Sequence, residues 1–216
     1  THNEEEFQRN VHSVMDQNAD TISMLLDKHK TLVESMASRM RLFYKSPQEA
    51  RSYILRQHTS QNVYNFMRVG FIYPDGNGYA SDGNSGNLAL RDYFQRSMRG
   101  EIVITPTMKS YLGNVHRNVN VISAPVYDDN RNIVGVVFET IPNEVFADVM
   151  NKGVLAEFGS NVLVDNNGDI IANDTDSQLL TKYSDLLPFV TLDAHQKRLS
   201  IWEQRVQNIE NTTTMY

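Results

Sequence analysis

Asp165, Asn167 and Asp169 alternate in the way that opens an EF-hand calcium loop. The rest of that loop does not follow, since Ile170 stands where the sharp turn needs glycine and Asp176 replaces the bidentate glutamate. The segment reads instead as a hairpin turn built on Asn167-Gly168. Six histidines, His2, His12, His29, His58, His116 and His195, are scattered without the spacing of metal ligands. Cysteine is absent, which removes disulfides, thiolate metal sites, covalent haem attachment and a cysteine nucleophile together. Ser81, His116 and an aspartate would be the parts of a hydrolytic triad, yet no Gly-x-Ser-x-Gly elbow occurs. These residue types predict no metal, no cofactor and no catalysis within this stretch of chain.

The elements that carry these residues belong to a chain of 216 residues with 20 Lys and Arg against 26 Asp and Glu, a net charge of -6. An acidic balance argues against broad binding to a phosphate backbone, so nucleic acid is not an expected partner. The 40% hydrophobic and 21% charged content are those of an ordinary globular protein, and no run approaches the length that spans a bilayer. The chain starts at Thr1-His2-Asn3 without a leader pattern, which reads as a piece cut from a longer protein.

Phe7, Val11, Val14, Asn18, Ile22, Leu25, His29, Val33, Met36, Met40 and Phe43 recur at an average step of 3.6, predicting one long amphipathic helix before Pro47. At 1.5 Å per residue it reaches roughly 60 Å, and its stripe is suited to packing on the rest of the chain or to a shared homodimer seam. Ser46, Pro47 and Glu49 form a capping box for a second helix to about Gln57. From Val63 the pattern changes to strand, turn, strand. Three hairpins are predicted, turning at Pro74–Gly78, Asp128–Asn132 and Asp165–Asp169, the last two alike in sequence as in a tandem repeat. Short helices are expected at Leu88–Met98, after an Asp82–Asn87 loop, and at Asn143–Asn151. The tail from Thr191 to Glu210 is compatible with helix or strand. The predicted class is α+β: a stalk helix over 1–46, then antiparallel-sheet modules over 47–152 and 153–216, the second one small or incomplete.

The Pro74-Asp75-Gly76 hairpin, Arg91-Asp92-Tyr93-Phe94, the Thr105-Pro106 strand entry, Leu112-Gly113, and Ser123-Ala124-Pro125-Val126-Tyr127-Asp128 running to Ile133-Val134-Gly135-Val136-Val137 together resemble a Cache domain. That is the PAS-like extracytoplasmic sensing module of bacterial receptors, and the long helix with two modules resembles the double-Cache arrangement. The resemblance implies a periplasmic module, held by flanking membrane helices, that feeds a diguanylate cyclase, phosphodiesterase, histidine kinase or chemoreceptor output. It implies a ligand in the distal module. In relatives that bind amino acids, an Arg followed after one position by Trp-Tyr grips the carboxylate, and an Asp at a strand end takes the amine. Here Arg91 keeps its place, Tyr93 and Phe94 replace the aromatic pair, and Thr140 stands where the Asp is expected. Lys109 falls on the facing strand as a second cation. Two cations without the acidic partner point to a small carboxylate or related anion. Tyr79, Tyr93 and Tyr111 offer flat walls with a hydroxyl each, and Ser81 and Ser123 are further pocket hydroxyls. Another outcome is a scaffold whose pocket is filled by its own side chains, signalling through dimerisation or a periplasmic protein.

Overall fold

The computed structural model of the chain describes residues 2–60, 65–113, 117–150, 162–164, 170–173 and 214–215. The long helix is α1, His2–Met40, with Arg39 in its last turn, where a cation complements the helix dipole. Its second half buries Ile22, His29, Val33, Met36 and Met40 of the stripe that the 3.6 period predicts, with Leu26 buried in place of the part-buried Leu25. In α2, Pro47–Gln57, the Ser46 side chain accepts from the Glu49 N–H at 3.4 Å and Pro47 fills the first turn, as the capping box requires. A short 3-10 turn, His58–Ser60, follows.

Seven strands then form one antiparallel sheet: β1 (Arg68–Ile72), β2 (Asn77–Ala80), β3 (Ser85–Asn87), β4 (Val103–Ile104), β5 (Met108–Lys109), β6 (Asn118–Tyr127) and β7 (Ile133–Pro142). Their order is β3-β2-β1-β7-β6-β4, with β5 also paired to β6. Two of its hairpins turn by the same device, an aspartate that accepts from backbone N–H groups ahead of it. Asp75 accepts from Asn77 at 2.9 Å, and Asp128 accepts from Asn130 and Asn132 at 2.9 and 2.8 Å. The Asn132 bonds hold the Asp128 carboxyl below its ordinary range. The α+β class and both hairpins agree with the sequence.

The helix expected over Leu88–Met98 is shorter, α3 being Asp92–Ser97, and the second half of the expected Asp82–Asn87 loop is strand β3. The cause is local. The Leu88 N–H donates to the Gly76 carbonyl at 2.7 Å and the Ala89 N–H to the Asn87 side chain at 3.1 Å, so this stretch is tied to β2 before a helix can start.

Register divides the sheet into two faces, because side chains alternate along each strand and paired residues share a side. Arg68, Thr140 and Val121 lie in line on one face, and Val69, Glu139 and Ile122 on the other. The first face carries α3 and a core of Ile72, Leu88, Tyr93, Phe94, Val103, Leu112, Val121, Val136 and Phe138. Gly70 is required there: a Cβ would stand 2.4 Å from the Phe138 ring, which lies across the strand.

The chain divides into two compact units, 25–142, which holds this sheet, and 1–24 together with 143–216. The latter contains α4 (Glu144–Met150) and a three-stranded antiparallel sheet ordered β10-β8-β9, from β8 (Val162–Val164), β9 (Ile170–Asn173) and β10 (Thr214–Met215). The third predicted hairpin is β8 and β9. Its turn, with the calcium-like spacing, and the Thr191–Glu210 tail lie outside the described residues. No helix among the described residues is long and apolar enough to cross a membrane.

Candidate functional site

A cavity opens on the α3 face of the seven-stranded sheet, and the strands that build it each deliver alternate residues. Arg68 comes from β1, Val119 and Val121 from β6, Phe138 and Thr140 from β7, and Tyr93 from α3; the β5 segment and the residues after it close the side with Met108, Lys109, Ser110, Tyr111 and Leu112. The void measures about 20 Å³, room for about one water molecule. Two cations, Arg68 and Lys109, line it, and no Asp or Glu does so among the described lining residues.

Of the residues expected at the site, the fold brings Tyr93, Lys109, Tyr111 and Thr140 together around this cavity. Tyr93 is buried against Phe138, ring centroids 6.4 Å apart, and burial pushes its hydroxyl up to about 12. Arg91 lies just outside the lining. It is the half-buried N-cap residue of α3, and its guanidinium sits 3.5 Å from the centre of the Tyr111 ring, a cation-π contact at the rim, where Tyr111 is 60% exposed. The two carboxylates near Arg91 in sequence serve other arginines: Asp92 pairs with Arg96 at 3.6 Å and Asp82 with Arg68 at 3.0 Å.

Tyr79, Ser81 and Ser123 are buried elsewhere. Tyr79 packs with Phe71 and Tyr73 on the opposite face of the sheet, and burial raises its hydroxyl pKa strongly, the neighbouring Tyr73 adding to the effect. The Ser81 hydroxyl accepts from the Val69 N–H at 3.2 Å, which ties the end of the β1–β2 hairpin. The Ser123 hydroxyl meets that of Ser97 at 2.9 Å and donates to the Tyr93 carbonyl at 3.3 Å, so it fastens α3 to β6.

Arg68 was not among the residues singled out from the sequence. Its side chain is 2% exposed, it donates to the Leu112 carbonyl through one terminal nitrogen, and its Nε faces Asp82 at an ion-pair distance but at an angle outside hydrogen-bond geometry. Burial lowers the guanidinium pKa, with Asp82 opposing. The signal in the sequence was an arginine opening Arg68-Val69-Gly70-Phe71-Ile72, a strand buried at every position.

The other face carries a second pair of ionisable side chains. His29 of α1 approaches Glu139 of β7, Nδ1 to Oε1 2.8 Å, and both side chains are fully buried. Burial raises the Glu139 pKa, with His29 opposing it through its hydrogen bond and charge. A broad open groove of about 770 Å³ lies on the same side, between Glu34 to Ser38 of α1, with Arg41 just past its end, and the end of β6. Its charges are largely engaged, Arg41 with Asp129 at 3.3 Å and Asp128 in its own turn, so size alone does not recommend it as the site. No cluster of three metal-ligating residues occurs among the described residues.

The family model described as Cache domain matches residues 1–213. No curated protein sequence matches the chain. Among solved structures, the chain is similar to the ligand-binding domain of the Pseudomonas aeruginosa amino acid chemoreceptor PctC in complex with GABA, at TM-score 0.70 and 16% identity over 85% of this chain and 83% of that one. The PctB domain of the same organism, in complex with L-Arg, is similar at TM-score 0.70 and 18% identity over 84% and 77%. The Pseudomonas fluorescens CtaA domain in complex with L-leucine gives TM-score 0.69 and 14% identity over 87% and 78%. At these identities the likeness is one of fold.

Proposed function

The chain belongs to the Cache domain family, whose members bind ligands and do not catalyse, and we propose that it is the extracytoplasmic sensing module of a bacterial receptor, taking a small organic acid in the cavity on the α3 face. The observation that carries the ligand class is charge: two cations, Arg68 and Lys109, line the cavity with no carboxylate among the described lining residues. GABA, L-arginine and L-leucine, bound by the similar chemoreceptor domains, all contain a carboxylate. They also contain an amine, and here an ammonium group would meet Arg68 and Lys109 with Thr140 in place of an acid. An acid without an ammonium is the better electrostatic match.

Tyr93 and Tyr111 serve as walls, Lys109 as a cation toward the anion, and Arg91 holds Tyr111 at the rim through their stacked contact. Residues 47–152 act as the ligand-holding module and 153–216 as a second, reduced one, with α1 as the stalk and a possible partner seam in a homodimer. The receptor sits in the inner membrane through helices that flank this sequence, and its output is a cyclase, a phosphodiesterase, a kinase or a chemotaxis domain. A guest that prefers one arrangement of sheet and helix shifts the balance toward that arrangement, which is all a signal requires.

The test is thermal stability against a panel of mono- and dicarboxylates, amino acids and polyamines, since whatever binds the folded state raises its melting temperature. Stabilisation by an organic acid, reduced in Lys109→Ala and in Arg91→Ala, is the expected result. The narrowness of the void favours one rival, a scaffold whose cavity is filled by its own side chains and whose output depends on self-association. A flat response across the panel with concentration-dependent dimerisation in sedimentation establishes that rival and defeats the sensing role.

A further inference from the structure

Arg68 is shared by the cavity, which it lines, and by Asp82, with which it pairs. Its residue lines the void, Nε faces Oδ2 of Asp82 at 3.0 Å and a terminal nitrogen donates to the Leu112 carbonyl. The remaining contact is weak, 3.8 Å to the Met67 sulfur, whereas a guanidinium offers five N–H donors in a rigid fork suited to a carboxylate. The two partners differ in their access to water: Arg68 is 2% exposed and Asp82 is 22% exposed. Asp82 therefore recovers hydration on a small outward movement, and Arg68 does not.

We propose that Arg68 is the anion receptor of this cavity and that Asp82 is its resident counter-ion, an internal carboxylate occupying the place that the guest's carboxylate takes. The inference rests on the sensing role above and adds which residue receives the acid and what the acid displaces. Exchange of one carboxylate for another keeps the buried guanidinium neutralised throughout, which avoids the large cost of an unpaired interior charge. The displaced group belongs to the turn after β2, where Oδ1 of Asp82 accepts from the Asn84 N–H at 3.2 Å. Asn84 in turn closes on Gly113, next to Leu112, so the exchange pulls on two rim segments at once. The expected guest is a compact organic acid with no ammonium group.

The test uses the 216-residue chain and sodium formate, a carboxylate of the size removed, with sodium chloride at equal ionic strength as the control. Asp82→Ala should melt lower than wild type, and formate should restore it saturably, by an amount on the order of 3 °C, where chloride does not. Asp82→Ala combined with Arg68→Met should show no formate response. Should Asp82→Ala not fold, Asp82→Asn preserves the shape and the turn, and is expected to show a larger formate response than wild type. Equal action of formate and chloride on these variants, or a double variant that responds like the single one, overturns the exchange. Rescue by formate in a chain that no organic acid stabilises would sustain the Arg68 site and refute the sensing role; stabilisation of wild type by an organic acid, with Asp82 variants indifferent to formate, would do the reverse.

Discussion

The two faces of the seven-stranded sheet each bury one pair of ionisable side chains, and the pairs differ in the way that matters for function. On the α3 face, Arg68 borders a cavity and its partner Asp82 reaches solvent. On the α1 face, His29 and Glu139 are both sealed, and His29 Nε2 and Glu139 Oε2 make no hydrogen bond among the described residues. A pair with one wet end can exchange its partner. A pair with both ends dry can only hold or break, so His29–Glu139 acts as a fixed link between helix and sheet. Thr140 lines the cavity and Glu139, the preceding residue of β7, points the other way, so a single strand serves both.

Breaking the dry pair should cost most. Glu139→Ala leaves His29 facing an apolar interior without its partner, and a loss of about 3 kcal/mol in denaturant unfolding is expected. Replacing both residues by apolar ones of similar volume, as in His29→Leu with Glu139→Met, should recover most of that, because the pair's own desolvation is then no longer required. A double variant as unstable as the single one would contradict the view of this pair as a replaceable link.

The wet pair should yield less. Arg68→Met lets Asp82 hydrate and removes a buried bond to Leu112, for an expected loss of about 2 kcal/mol, measured in the same way. A loss larger than that of Glu139→Ala would reverse the ranking of the two faces.

Titration separates the faces further. Burial raises the Glu139 pKa above the ordinary glutamate value of 4.5, so the folded state holds this proton more firmly than the unfolded state. Its contribution to stability is complete below 4.5 and is lost as the pH climbs through the raised value, with a slope of at most about 1.4 kcal/mol per pH unit. Glu139→Gln should flatten that part of the stability curve, while Arg68→Met should leave it unchanged. Identical curves for wild type and Glu139→Gln would show that the carboxyl does not titrate in this way. Smallest of all, Ser123→Ala removes the buried Ser97 contact and should cost about 1 kcal/mol in the same unfolding measurement.

Much of the architecture was legible before any coordinates. The period of α1, the Ser46 cap with Pro47, and the aspartate turns at 75 and 128 are contacts within a few residues, and chain chemistry alone sets them. Leu88–Leu90 looked helical by hydrophobicity, but a bond to Gly76, twelve residues away, competed successfully. At the site, the segment from Met108 to Leu112 and the strand bearing Thr140 were legible as pocket walls, and four of the eight expected residues line the void. Tyr79 reflects ambiguity of face, differing from a wall residue only in which side of the sheet its strand position selects, whereas Ser123 shares the cavity's face but is taken up by Ser97 and the Tyr93 carbonyl.

Sequence alone determined the secondary elements, the hairpin plan and the family, because these depend on periodicity and on turns closed within four or five positions. Only the tertiary structure decided which arginine is interior. Arg91 has the motif, yet it caps a helix at the rim and stacks on Tyr111, whereas Arg68 meets Asp82 and Leu112 across the hairpin register. His29 likewise finds Glu139 from 110 residues away. Pairings of that range follow from strand register and from the alternation of faces, which place a charge in or out of water before its own chemistry has any say.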